Sequence, residues 1–156
     1  MDGRRVTIRR ALPAEVPLLA RHRRAMFEEM GYRDIPALDA MCTAFEPWLA
    51  GRMASGEYVA LVVEDAPGGI VAGAGVWFMD WPPHMIGPGA PRANIVNVYT
   101  EPAWRRQGLA RRLMEAALAE CRNRGVRAVI LHASDAGRPL YESLGFDATN
   151  EMRLLL

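Results

Sequence analysis

The residues best placed to do chemistry form one short run at the entrance to an amphipathic helix: Arg105, Arg106, Gln107, Gly108, Leu109 and Ala110. Gly108 and Ala110 are small, so a ligand can approach the free N–H groups at the start of that helix. Those N–H groups and the helix dipole favour an anion by about 0.3–1 kcal/mol, and by up to about 2 kcal/mol in a partly buried site. Arg105 and Arg106 add positive charge just ahead of it. The run predicts an anion site, with an ordinary arginine-rich helix start as the alternative.

The positive charge is local rather than global. Seven arginines and two glutamates lie between Trp104 and Ala128, whereas the whole chain of 156 residues has a formal net charge of +1. A chain so close to neutrality is not typical of a nucleic-acid-binding protein, so we expect no nucleic-acid partner. Every basic residue is arginine, which excludes a lysine nucleophile, a lysine Schiff base and a lysine general base.

Hydrophobic periodicity predicts the elements that position these residues. Strands are expected at 6–9, 58–63, 70–78, 94–99, 126–132 and 151–155. Helices are expected at 13–30, at 35–53 with Pro47 as a kink or break, after Glu101-Pro102 to about 123, and at 135–144. The order β-α-α-β-β-β-α-β-α-β predicts a mixed α/β (α+β) fold around one sheet, in a single domain over residues 1–156. The strands on either side of the third helix should be parallel, because a strand–helix–strand crossover joins them.

The remaining composition narrows the class of protein. Cys42 and Cys121 are too few for a disulfide scaffold, which favours a reducing, cytoplasmic setting. The N-terminus has no apolar signal segment, and no apolar run approaches the ~18 residues of a membrane span, so we expect no membrane partner. His22, His84 and His132 do not have the spacing of a metal site, so no metal is expected.

A second motif, Leu140-Tyr141-Glu142-Ser143-Leu144-Gly145-Phe146, follows the first after about thirty residues. The two motifs, the Glu101-Pro102 pair and the intervening strand 128–131 together resemble the GNAT superfamily of acetyl-CoA-dependent N-acetyltransferases. In element order the resemblance covers nearly the whole chain. It implies one mostly antiparallel sheet with helices on both faces and a parallel strand pair that splays apart.

The resemblance also implies how the co-substrate acetyl-CoA binds. Its pantetheine arm would bond to the strand backbone at Val98, Tyr99 and Thr100, and the loop 105–110 would wrap its pyrophosphate. Relatives often carry Asn where this chain has Ser134, which offers fewer hydrogen bonds. Tyr141 is implied as the general acid that donates to the departing thiolate, with packing in the core as the alternative.

The base that takes a proton from the acceptor is not fixed by any motif. Many relatives place Glu on the strand before the first motif, where this chain has Asn94 and Asn97. Glu28 or Glu29, at the end of the first helix, is a candidate base. The alternatives are a chain of waters and two groups of the long loop, Asp80 and His84.

Aromatic residues around the long Pro/Gly-rich loop are candidates for acceptor binding. Trp77, Trp81 and His84 are the residues we select, with core packing as the alternative for the tryptophans. Loops of this length in a compact domain are often functional.

The function that the resemblance implies is direct transfer of the acetyl group of acetyl-CoA to a primary amine. The acceptor is an amine-bearing small molecule, peptide or protein. The alternative is an acyl-CoA-binding regulatory module of the same fold that lacks turnover. A homodimer is expected by analogy with such families.

Overall fold

The computed structural model describes residues 4–156. Within them lie the strands β1 (Val6–Arg10), β2 (Tyr58–Asp65), β3 (Ile70–Met79), β4 (Arg92–Thr100) and β5 (Val129–Leu131). The α-helices are α1 (Val16–Glu29), α2 (Ile35–Ser55), α3 (Leu109–Asn123) and α4 (Arg138–Ser143). Short 3-10 turns at Pro13–Glu15 and Pro102–Trp104 precede α1 and α3.

The strands form one sheet in the order β1-β2-β3-β4-β5. All pairs are antiparallel except β4 and β5, which are parallel. Side chains of β2 alternate between two cores, as the two-residue period of a strand requires. Val59, Leu61 and Val63 pack on the α3 side, and Tyr58, Ala60 and Val62 pack on the side of α1 and α2. Helices therefore cover both faces, and the predicted mixed α/β fold with its parallel pair is confirmed.

A β-bulge interrupts β4 near its carboxyl end. Gly75 of β3 faces Val96, but Gly73 faces Tyr99, so two residues of β4 lie opposite one residue of β3. Asn97, the first of the two, has a φ of 56°. Bulges re-aim side chains and are common beside active sites. Here the extra residue changes which side chains of β4 face α1.

The parallel pair of β4 and β5 is short. Its register runs from Ala93 and Val129 to Ile95 and Leu131, whereas β4 continues to Thr100. The last residues of β4 thus have a paired edge towards β3 and an unpaired edge on the other side. This is the separation that the expected splay requires.

Pro47 does not break the second helix, so of the predicted kink or break the break is wrong. Helix α2 is continuous from Ile35 to Ser55 with Pro47 inside it. The carbonyl of Thr43 loses its helical partner at Pro47, but both residues are exposed, so water can bond to that carbonyl. No helix in residues 4–156 has the length and apolar character that crossing a membrane requires.

The predicted final strand at 151–155 is also wrong. The chain from 146 to 156 has no regular structure. Phe146 packs against the α3-side core, but the apolar side chains of the predicted strand, Met152, Leu154 and Leu155, are exposed, Leu154 to 81%. The physical reason is the lack of a partner: β5 is only three residues long, and within residues 4–156 no neighbouring strand supplies a ladder for the segment.

Candidate active site

The start of α3 is an open cradle of backbone N–H groups. Gly108 is its N-cap, with a φ of 76°, and no side chain of residues 4–156 caps it. Arg106 also has a positive φ, 63°. Left-handed residues in such a loop turn N–H groups to one side and make an anion-binding concavity. A Cβ built on Gly108 would meet no atom of residues 4–156 within 4 Å, so these residues leave a ligand room to reach the helix end.

The two arginines ahead of α3 have different surroundings. Arg105 donates from Nε to the Thr100 carbonyl at 2.9 Å and from Nη2 to Glu29 Oε1 at 2.5 Å. The hydrogen bond to Glu29 raises the pKa of Arg105, so this guanidinium stays charged while it ties the loop to the ends of β4 and α1. Arg106 is exposed and makes no ion pair within residues 4–156. Arg106 is therefore the one available to an external anion.

The unpaired edge of β4 lies beside this cradle, because Arg105 bonds to the last residue of the strand. Val98, Tyr99 and Thr100 all belong to the part of β4 that has no β5 partner. Tyr99 is 7% exposed, and its ring packs against His22 with 4.8 Å between ring centroids. The backbone at 98–100 thus presents a supported edge to which an extended ligand can hydrogen-bond.

Tyr141 and Ser134 meet at Gly137, where α4 begins. Tyr141 is 8% exposed, and a Cβ on Gly137 would lie 2.8 Å from its Cε2 atom. The Phe146 ring packs edge-on against Tyr141 at 6.1 Å. Burial raises the pKa of Tyr141, so its hydroxyl keeps its proton at neutral pH. Ser134 Oγ accepts the Gly137 N–H at 3.1 Å, which leaves its hydroxyl hydrogen free to donate.

Both candidate bases on α1 are held in ion pairs. Glu28 Oε1 accepts from Arg24 Nε at 2.8 Å, and Glu29 accepts from Arg105. The two glutamates line an open pocket of about 510 Å³ between the end of α1 and the start of α2. Each carboxylate uses Oε1 in its ion pair, and no residue of 4–156 bonds to its Oε2.

The three candidate acceptor residues lie in two places. Trp77 packs edge-on against Trp48 of α2, with 5.4 Å between ring centroids. Trp81 lines an open groove of about 680 Å³ formed by the loop after β3, and Arg92 Cζ lies 4.1 Å from its ring centroid. His84, in the same loop, accepts a backbone N–H through Nδ1 at 3.1 Å. Trp81 and His84 therefore share a loop, whereas Trp77 belongs to the α1–α2 side.

Two polar residues of α1 beside the site were not expected from the sequence. Arg23 Nη1 donates to Asn97 Oδ1 at 2.6 Å, and the adjacent His22 is 5% exposed. His22 Nε2 lies 3.3 Å from Glu101 Oε1, no residue of 4–156 bonds to its Nδ1, and burial lowers its pKa. One signal was available: Arg23 follows the buried Leu19 by four positions, which places it on the inner face of α1.

Comparison with known proteins decides the family. The model of the acetyltransferase (GNAT) family matches residues 19–146. The chain belongs to the GNAT family. Among solved structures it is similar to a GCN5-related N-acetyltransferase from Ralstonia eutropha JMP134, with 38% identity, a TM-score of 0.90 and coverage of 97% of this chain and 99% of that one. No curated protein sequence matches it.

Other GNAT-type structures are similar as well. A predicted acetyltransferase with acetyl-CoA from Clostridium acetobutylicum is 27% identical, with a TM-score of 0.87 and coverage of 97% of this chain and 96% of that one. Glucosamine-6-phosphate N-acetyltransferase from Arabidopsis thaliana, at 16% identity, a TM-score of 0.70 and coverage of 97% and 98%, shares the fold alone.

The family makes this chain an acyltransferase, and the resemblance inferred from the two motifs is confirmed. Because the relatives are named acetyltransferases, the alternative of a GNAT module without turnover is not favoured. Residues 4–156 contain no group of three or more His, Cys, Asp or Glu side chains that could hold a metal ion.

Proposed function

We propose that this protein transfers the acetyl group of acetyl-CoA directly to a primary amine. The observation that carries the proposal is the uncapped start of α3 at Gly108, placed beside the unpaired edge of β4. The first feature suits a diphosphate and the second suits an extended, amide-bearing arm. The Clostridium acetobutylicum relative with acetyl-CoA supports the choice of co-substrate.

In this proposal each part of acetyl-CoA has its own contacts. The diphosphate is held by the N–H groups of the loop 105–110, with Arg106 adding a guanidinium. The pantetheine arm bonds to the β4 backbone at 98–100, and Ser134 donates its free hydroxyl hydrogen from the β5 side. Arg105 shapes the loop through Glu29 and Thr100.

The reaction forms a C–N bond and breaks a C–S bond. The amine must be neutral to attack the thioester, which costs about 4–5 kcal/mol at pH 7 for an amine of pKa about 10.4. Holding the amine and the thioester side by side supplies much of the rate. As sulfur takes the electron pair, Tyr141 donates a proton or a hydrogen bond to it. The excess proton of the amine passes to a base or to water.

Glu28, Glu29 and a chain of waters remain the candidates for that base, with Asp80 and His84 as further alternatives. A pair of variants separates the glutamates. Glu29→Gln also weakens the contact that orders Arg105, so it should change both acetyl-CoA affinity and kcat. Glu28→Gln leaves that contact intact, so a loss of kcat with unchanged acetyl-CoA affinity would identify Glu28 as the base.

We place the acceptor against the loop and sheet residues selected from the sequence. Trp81 and His84 border the open groove after β3, and Trp77 stands at the edge of the α1–α2 side. Alanine variants of each, assayed with one good acceptor, should raise KM for the amine while acetyl-CoA affinity stays constant.

Calorimetry with acetyl-CoA is the first test of the proposed function. Saturable binding is expected, and its absence would exclude acetyl transfer by this site. A thiol-release assay with a panel of amines then measures turnover. Acetyl-CoA binding without release of CoA to any amine would favour the module that lacks turnover.

The proposed partners and setting have tests of their own. Two thiols are free, Cys42 and Cys121, which supports the proposed cytoplasmic, reducing setting. The formal net charge of +1 supports a protein without a nucleic-acid partner; a gel shift at two salt concentrations tests this. Light scattering on the purified chain tests the expected homodimer.

A further inference from the structure

The Arg23 side chain is a half-buried cation without an acidic partner among the described residues. Its guanidinium lies between two aromatic rings, with Cζ 5.0 Å from the Phe27 centroid and 4.9 Å from the Phe45 centroid. Its Nη1 bonds to the neutral amide of Asn97, and its Nε is buried with no hydrogen-bond partner. Within residues 4–156, no carboxylate lies within ion-pair distance of this guanidinium.

Other arginines on the same side of the molecule are neutralised. Arg9 pairs with Glu15 and Glu64, and Arg24 pairs with Glu28 and Asp39. Arg23 is one position from Arg24 on α1 but faces inward. Burial lowers the pKa of Arg23. A half-buried charge without a counter-charge opposes folding.

The position of Arg23 relates it to the acetyl-transfer site. Asn97, its partner, is the positive-φ residue of the β4 bulge and directly precedes the 98–100 backbone. The Asn97 side chain turns its oxygen towards Arg23, and its NH₂ group makes no hydrogen bond within residues 4–156. Two donors, the Arg23 guanidinium and the Asn97 amide, are thus joined by one hydrogen bond beside the 98–100 backbone.

We infer that Arg23 and Asn97 form an anion subsite that binds a carboxylate of the acceptor, so the substrate class is amines that also carry a carboxylate. This inference rests on the proposed function. A guanidinium and an adjacent amide NH₂ match the two oxygens of a carboxylate. One uncompensated positive charge fits a monoanion, whereas a phosphate dianion would leave excess negative charge among Phe27 and Phe45.

The experiment compares acceptors that differ only in the carboxylate. The probes are glycine, alanine, leucine and phenylalanine, each beside its primary amide, with rates expressed per neutral amine. For the wild-type protein we expect kcat/KM to favour the acids by tenfold or more. Calorimetry of each acid and its amide into protein saturated with CoA should show the same preference without turnover.

Three variants separate binding from support of the bulge. Arg23→Gln keeps a hydrogen-bond donor for Asn97 but removes the charge, and it should abolish the preference for acids. Asn97→Asp supplies Arg23 with an internal carboxylate, so it should raise stability in urea and also abolish the preference. Arg21→Gln, an exposed site on the same helix, is the matched control and should retain the preference. All three should bind acetyl-CoA as the wild type does.

The outcomes distinguish this inference from the proposed function. Equal use or equal binding of acids and amides by the wild type overturns the carboxylate subsite while acetyl transfer stands, and so does an Asn97→Asp variant that still prefers acids. These comparisons remain decisive if Arg23→Gln fails to fold. If the wild type does not bind acetyl-CoA, the proposed acetyl transfer is refuted, and the inferred subsite is refuted with it.

Discussion

Replacing Gly108 by alanine tests the anion cradle at the start of α3. Gly108 has a φ of 76°, and a residue with a side chain in the left-handed region costs about 1–2 kcal/mol. Because a Cβ at this position would meet no atom of the described residues within 4 Å, the expected cost to folding is backbone strain. Urea denaturation should therefore report a loss of about 1–2 kcal/mol in the free energy of unfolding.

The same methyl group would stand in front of the helix N–H groups that we assign to the diphosphate. It would hold the phosphate oxygens away from hydrogen-bond distance. We expect acetyl-CoA affinity to fall about tenfold, which corresponds to about 1.4 kcal/mol. Calorimetry on the folded variant measures this change directly.

Gly125 provides a matched control at the other end of α3. It has a φ of 72°, and a Cβ there would also meet nothing within 4 Å in the part of the chain that the structure describes. Gly125→Ala should lose a similar amount of stability and keep its full acetyl-CoA affinity. If the two variants bind acetyl-CoA equally well, the cradle does not hold the diphosphate and the reasoning is refuted.

Three further predictions concern buried groups. Tyr141→Phe should lower kcat by about 10²–10⁴-fold with acetyl-CoA affinity unchanged; an unchanged kcat would exclude Tyr141 as the acid. Burial lowers the pKa of His22 in the folded protein. As the pH falls, His22 is therefore protonated in the unfolded chain before it is protonated in the folded one, so stability should fall as the pH drops below about 6.5. Urea denaturation at about pH 7.5 and about pH 5.5 should show a smaller loss for His22→Gln than for the wild type, and parallel losses would contradict this. A Cβ on Gly75 would lie 1.6 Å from the Tyr58 hydroxyl, so Gly75→Ala should cost about 1–3 kcal/mol, whereas Gly51→Ala, in open space on α2, should stabilise by about 0.5–1 kcal/mol.

Local signals predicted the central helix and its start. Helix α3 is amphipathic as predicted, because helical periodicity is a property of the segment itself; its buried residues are Leu109, Leu113, Met114, Ala117 and Cys121. The place of Gly108 at the start of α3 could also be predicted, because it depends on the backbone conformation of a single residue. The element order as far as α4 followed from the same kind of information, and with it the parallel pair.

Features that depend on contacts between distant segments could not be read in this way. Arg23 and Asn97 are 74 positions apart, and their contact exists only because the bulge adds one residue to β4. The bulge itself is a matter of register between β3 and β4, which no pattern within β4 reveals. The sequence pattern also predicted one strand too many. The apolar end of the chain has strand-forming residues, but a strand needs a neighbouring strand to pair with.

Because the parallel ladder between β4 and β5 is short, β5 is held weakly at one edge of the sheet. Only the pairs from Ala93 with Val129 to Ile95 with Leu131 fasten β5 to the rest of the sheet. Amide hydrogens of β5 should exchange with solvent sooner than those of β2 and β3, which are paired along most of their length. A ligand that hydrogen-bonds to both β4 and β5 joins the two strands across the gap. At a hundred times its Kd it adds about 2.7 kcal/mol to the free energy of unfolding. Acetyl-CoA bound between turnovers would then stabilise the fold as well as supply the acetyl group.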